Sequence, residues 1–101
     1  MIEVLLTYLD TIFSADGRAF QPRACGAPMP DGRWQGWIEF VPADHTALLR
    51  SPLETLQLNR GEMVRWASLL TPEYLEGAME RASLQAARPS EPVRASPAGS
   101  T

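Results

Sequence analysis

The stretch Asp31-Gly32-Arg33-Trp34-Gln35-Gly36-Trp37-Ile38-Glu39-Phe40-Val41-Pro42 decides how this chain folds. Its Asp-Gly dipeptide is a hairpin-turn signal, because glycine supplies the positive φ that tight turns require. The residues that follow alternate. Trp34, Gly36, Ile38 and Phe40 fall on one side of an extended strand, and Arg33, Gln35, Trp37, Glu39 and Val41 on the other. The first set is predicted to face a core. Gly36, standing between two large residues, marks a place where another element crosses closely, and a helix over the sheet meets that need. Pro42 ends the strand, since it has no N–H to offer the ladder.

Working outward towards the N-terminus, Gly26 to Pro30 reads as a loop and Arg18 to Cys25 as a strand with Phe20 and Ala24 inward. Pro22 removes one ladder donor and points to an edge or a bulge. Ahead of that strand lies Asp16-Gly17-Arg18, the same tripeptide as Asp31-Gly32-Arg33, which implies a meander built on repeated turn chemistry. Two readings compete for the first thirteen residues. Ile2, Leu5, Leu6, Leu9, Ile12 and Phe13 fit one helical face, whereas Val4, Thr7, Tyr8, Thr11, Ile12 and Phe13 are β-formers with no helix cap before them. The Asp16-Gly17 turn that follows favours a strand.

Working outward towards the C-terminus, Ala43 to Thr46 is a polar loop. Ala47 to Arg50 and Leu53 to Leu58 form a fourth strand interrupted by Ser51-Pro52. Asn59 and Glu62 have capping-box spacing, opening a helix with Met63, Trp66, Ala67 and Leu70 on one stripe. Thr71-Pro72-Glu73 opens a second: a capping hydroxyl, proline at the first helical position, and an acid at the positive dipole end. That helix turns Tyr74, Leu75, Ala78, Met79 and Ala82 inward and Glu73, Glu76 and Glu80 outward. The predicted fold class is α+β: an antiparallel meander of three to four strands, then two C-terminal helices packed on one sheet face. The domain is expected over 1–83, followed by a disordered tail over 84–101 rich in Pro, Ala and Ser.

The turn, strand and helix residues together resemble a family of short, uncharacterised bacterial proteins. The residues that carry the likeness are Asp31-Gly32-Arg33-Trp34, Gly36-Trp37-Ile38-Glu39-Phe40, Glu54-Thr55 with Gln57, and Tyr74-Leu75-Glu76-Gly77-Ala78 with Arg81-Ala82. The resemblance implies a free-standing small bacterial protein and carries no activity, ligand or site. Sheet-then-helix order is also similar to that of small antitoxin modules with a partial RNase H-like sheet. A helical N-terminus would instead make the order similar to double-stranded RNA-binding domains. Those need a basic cluster opening the last helix, where this chain has Thr71-Pro72-Glu73-Tyr74-Leu75-Glu76.

Composition limits the chemistry. The net charge is −3, and all nine basic residues are scattered arginines, so the clustered positive charge needed to displace phosphate counterions is missing. Nucleic acid is therefore a disfavoured partner. Cys25 is the only cysteine and His45 the only histidine. One of each falls short of a zinc ligand set, and neither lies in a motif that supplies an oxyanion hole. No metal and no cofactor are expected. Asp16 and Asp31 are accounted for by turns, leaving Asp10 as the unassigned aspartate of the early segments. An enzyme using His45 with Cys25 or an acid is the least favoured reading. No basic signal-peptide region and no membrane-length apolar run are visible, so a cytoplasmic protein with no membrane partner is expected.

What the sequence singles out is Trp37. Facing away from the helix-covered side, it stands with Arg33, Gln35, Glu39 and Val41 on the other sheet face, and tryptophan is enriched at binding hot spots. These five residues are the candidate interface for a protein partner or a homodimer, unless the N-terminal segment packs over Trp37 as core. A domain this small gains buried apolar area by self-association. The expected function is a small non-enzymatic interaction module, with an antitoxin-like regulatory component of a nucleic-acid-targeting system as the alternative.

Overall fold

The computed structural model describes residues 1–87, and of the tail predicted over 84–101 the part from 88 onward lies outside the described residues. The strands are β1 (Glu3–Thr7), β2 (Ile12–Phe13), β3 (Ala19–Pro28), β4 (Trp34–Pro42), β5 (Leu49–Arg50) and β6 (Thr55–Gln57), and the helices are α1 (Arg60–Ser68) and α2 (Pro72–Ala87). All strand pairs are antiparallel. The long hairpin of β3 and β4 is central; β1 and β2 lie end to end along β3, and β5 and β6 end to end along β4. The α+β meander with two C-terminal helices on one sheet face is the observed architecture.

The two Asp-Gly-Arg tripeptides make the same turn. Ser14 N–H donates to Arg18 O (2.9 Å) and Gly17 N–H to Ser14 O (2.9 Å); Met29 N–H donates to Arg33 O (2.7 Å) and Gly32 N–H to Met29 O (3.0 Å). Gly17 and Gly32 have φ of 84° and 90°. In each turn an aspartate carboxylate, Asp16 or Asp31, accepts from the arginine N–H two residues on.

Pro22 and Pro52 each interrupt the pairing at their level, and the side chain of the residue before each makes the replacement hydrogen bond. Pro22 sits buried in the middle of β3, opposite Phe40, and not at an edge. Tyr8 N–H donates to Pro22 O (3.0 Å), but Pro22 has no N–H to return to Tyr8 O. The Gln21 side-chain amide donates there instead (3.0 Å), and the chain departs from the ladder before resuming as β2. Pro52 does the same to the opposite edge. Ser51, 1% exposed, donates its N–H to Ile38 O (2.8 Å), while its Oγ accepts from Ile38 N–H (2.9 Å). A hydroxyl thus stands in for a strand carbonyl, and the chain rejoins β4 at Glu54, whose N–H donates to Gly36 O (2.8 Å).

On the helix side, Ile12, Phe20, Ala24, Ile38 and Phe40 pack against Ala67 of α1 and Leu75, Ala78, Met79 and Ala82 of α2. Gly36 is the close crossing that its position predicts: a Cβ there would lie 2.6 Å from Met63 Sδ and 3.1 Å from Thr55 Cγ2. The helix starts are capped as expected, Asn59 Oδ1 accepting from Glu62 N–H (2.9 Å) and Thr71 Oγ1 from Tyr74 N–H (3.2 Å). The bulge at Ser51–Glu54 turns Glu54 towards α2. There its carboxylate, 4% exposed, accepts from Tyr74 Oη (2.5 Å) and from Arg81 Nε (3.0 Å) and Nη2 (2.7 Å).

Three expectations need correction. Gly26 to Pro28 is strand, not loop, because Gly26 faces Gly36 and leaves room for Met63 above both. Trp34 lies on the helix side but is only half-buried and outside the core cluster, since it pairs with Gln57 near the end of the sheet, beyond the Met63 crossing. The last helix continues through residues 84–87, past the predicted domain end at 83.

Candidate interaction face

Cross-strand partners point to the same side of a sheet, so the register builds the face opposite the helices row by row. One row runs Val4, Cys25, Trp37; the next, Ala27, Gln35, Leu56. On the other side of the first row lie Thr7, Arg23, Glu39 and Arg50, and beyond them Gln21 and Val41. The face is therefore divided into an apolar half and a charged half, with Trp37 on the boundary.

Trp37 is 2% exposed although no helix crosses it. The N-terminal strand does not pack over it; β1 lies beside β3 in the same sheet. Arg50 lies over the ring, its guanidinium carbon 3.9 Å from the ring centroid. The quadrupole of the indole face attracts that cation. The indole N–H donates to Glu39 Oε2 (3.3 Å), and Glu39 Oε1 accepts from Arg23 Nε (3.1 Å) and Nη2 (2.8 Å). Burial pushes the Glu39 carboxyl up, but the Arg23 guanidinium and the indole N–H outweigh it and hold the group below the usual glutamate range. Glu39 is thus an anion at neutral pH. Arg50 stands opposite Glu39 in register, yet its guanidinium lies over the Trp37 ring and has no carboxylate partner among the described residues.

The five sequence-predicted residues are not equivalent. Gln35, Trp37, Glu39 and Val41 share this face, whereas Arg33 belongs to the turn, where its guanidinium pairs with Asp31 (2.8 Å). Trp37 and Glu39 are buried and Gln35 and Val41 half-buried, so the exposed apolar contacts come from elsewhere: Val4 and Leu56, each 46% exposed. Those two, with Arg23 and Arg50, are among the face residues missing from the prediction. They lie on neighbouring strands, and their membership follows only once strand register is known.

Cys25 and His45 are not brought together. Cys25 is fully buried beside Trp37, and burial, followed by the nearby Glu39 charge, pushes its thiol up to about 12. His45 is exposed in the loop after Pro42, with φ 59° and its N–H donating to Pro42 O (3.2 Å). Pro42 faces Phe20, five residues along β3 from Cys25, which is about 17 Å of strand. Asp16 and Asp31 serve the turns, and Asp10 is exposed in the link between β1 and β2. No group of three metal-ligating side chains occurs among the described residues. An open depression of about 380 Å³ lies where the charged half ends, lined by residues including Thr11, Gln21, Val41 and His45. No described helix is long and apolar enough to cross a membrane. Arg18, Arg23, Arg33, Arg60 and Arg81 are each paired with a carboxylate, so the described arginines form no free basic cluster. Compared with models of protein families, with curated proteins and with solved structures, the chain matches none.

Proposed function

We propose that this chain is a small non-catalytic protein-interaction module that associates with a second copy of itself through the sheet face opposite the helices. The observation that carries the reading is the pair Val4 and Leu56, half-exposed apolar side chains flanking the buried layer of Cys25, Ala27 and Trp37. Closing a second face over them removes that apolar area from water without unfolding anything. The Arg50 stack supports the same reading: it shields the indole in the free chain, so the face is apolar enough to bind yet presents no bare tryptophan. A cytoplasmic setting belongs to this reading, and the free, buried thiol of Cys25 is compatible with it.

The test is the mass of the wild-type chain and of Leu56→Glu by size-exclusion chromatography with light scattering across a concentration series. A wild-type dimer that dissociates in the variant, with the circular dichroism spectrum unchanged, is expected. A wild-type monomer at every concentration would overturn the reading. The sheet-then-helix order also fits an antitoxin-like component, but no side-chain arrangement favours it.

A further inference from the structure

Resting on that reading, we infer that the second copy packs face to face about a two-fold axis running along the strands, midway between β3 and β4, so that Arg23 of each copy meets Glu39 of the other. The inference follows from how charge is laid out across the sheet. Arg23 and Glu39 stand directly opposite each other on the two central strands. A two-fold axis along the strands exchanges left and right while keeping the level along the strand. It therefore places β4 of one copy over β3 of the other, and a row reading Arg23–Glu39 against one reading Glu39–Arg23. Four charges then alternate in a square. Isologous interfaces require such self-complementarity, and sheets that stack face to face keep their strands within about 30° of each other.

The remaining rows agree with the same operation. Leu56, on the β6 edge, comes over the β1 edge of the second copy at the level of Ile2, which precedes Val4 by two residues and shares its alternation. Both are exposed and apolar. Trp37 and Cys25, 2% and 0% exposed, lie beneath this layer and make no contact of their own across it. In register, Arg50 comes over Thr7 of the second copy. Arg23 makes only two of its guanidinium's five possible hydrogen bonds to Glu39 within the chain, which leaves donors for a second carboxylate. An axis perpendicular to the strands fails this test, because it brings the charged half of one copy over the apolar half of the other. A face three strand spacings wide, roughly 14 Å, lies at the small end of specific interfaces, so the dimer is weak and concentration-dependent.

Charge reversal tests the arrangement. Arg23→Glu alone sets four carboxylates against one another, and Glu39→Arg alone sets four guanidinium groups together. Each variant is expected to be monomeric at concentrations where the wild type is dimeric. An equimolar mixture, one acidic row against one basic row, is expected to recover the doubled mass. A mixture that stays monomeric, or single variants that dimerise like the wild type, would overturn the axis while leaving self-association standing. A wild type that never dimerises would remove the reading beneath it. Should either charge variant fail to fold by circular dichroism, Ile2→Cys/Leu56→Cys with a short bismaleimide gives the answer with the charges intact. Covalent dimer from the double variant and from neither single variant is expected; cross-linking of Leu56→Cys alone would contradict the axis.

Discussion

The Arg50 guanidinium lies 3.9 Å from the centre of the Trp37 ring, and that contact divides the covering of the indole between a cation above and Cys25 alongside it. Arg50→Ala is expected to cost about 1 kcal/mol, and Trp37→Ala about 3–5 kcal/mol, since it empties a fully buried aromatic site. Urea denaturation of the two variants and of the double variant checks this. If the stack is the contact Arg50 makes, its substitution costs nothing further once Trp37 is gone.

Cys25 gives a chemical readout. With its thiol raised to about 12 by burial and then by Glu39, it carries almost no thiolate at pH 8 and is enclosed besides. A thiol reagent such as dithionitrobenzoate is expected to leave the native chain unlabelled and to modify one group after unfolding. Prompt stoichiometric labelling of folded protein would contradict the buried placement.

The same thiol and Tyr74 make the chain sensitive to alkali. Burial, then the Glu54 carboxylate, raises the Tyr74 hydroxyl to about 12. Both groups bind their protons more tightly in the folded state, so their contribution is complete below the unfolded values and disappears as pH rises through the folded ones. Unfolding free energy measured by urea titration is expected to fall between about pH 9 and pH 12. Cys25→Ala and Tyr74→Phe should each flatten part of that slope.

Glu54 governs the acid limb with Glu39. Burial raises the Glu54 carboxyl, but Arg81 and Tyr74 more than offset this and hold it below the usual range. A group lowered in this way stabilises above its unfolded value and loses that contribution as pH falls through its folded value. Glu54→Gln is expected to cost about 2 kcal/mol at pH 7, less than a fully buried pair because the Arg81 side chain is 42% exposed. It should also weaken the loss of stability below about pH 4. A variant with the wild-type acid profile would mean the carboxylate is not paired in solution.

Gly36 is constrained by Met63. A methyl group there would contact the thioether at 2.6 Å, so Gly36→Ala is expected to lower stability by about 1–3 kcal/mol. Met63→Ala, which empties a fully buried site, is expected to cost less in the Gly36→Ala chain than in the wild type, and a double-mutant cycle by thermal melts reads that coupling.

Much of this fold is legible where sequence carries local chemistry. Two Asp-Gly turns, the alternation over Trp34–Val41 and two capped helix starts each have a short-range physical cause. Gly36 even announces the crossing helix. What is not legible depends on register across strands that the prolines interrupt. Pro22 reads as an edge or a bulge because its missing N–H is visible in sequence, whereas the Gln21 amide that compensates for it is not. Ser51-Pro52 hides the pairing of Arg50 with Glu39 for a similar reason, since a hydroxyl closes a ladder that a carbonyl would ordinarily close. Trp37 therefore stands out in the sequence, and the residue covering it does not.

The two-residue strand β5 belongs to both faces at once. Its Arg50 holds the Trp37 ring on one side, while the Arg50 carbonyl accepts from the Gln85 amide of α2 (3.0 Å) and Leu49 packs against the core. β5 thus ties the helical layer to the opposite face through two consecutive residues, so two residues of chain join the packing of both sides of the sheet.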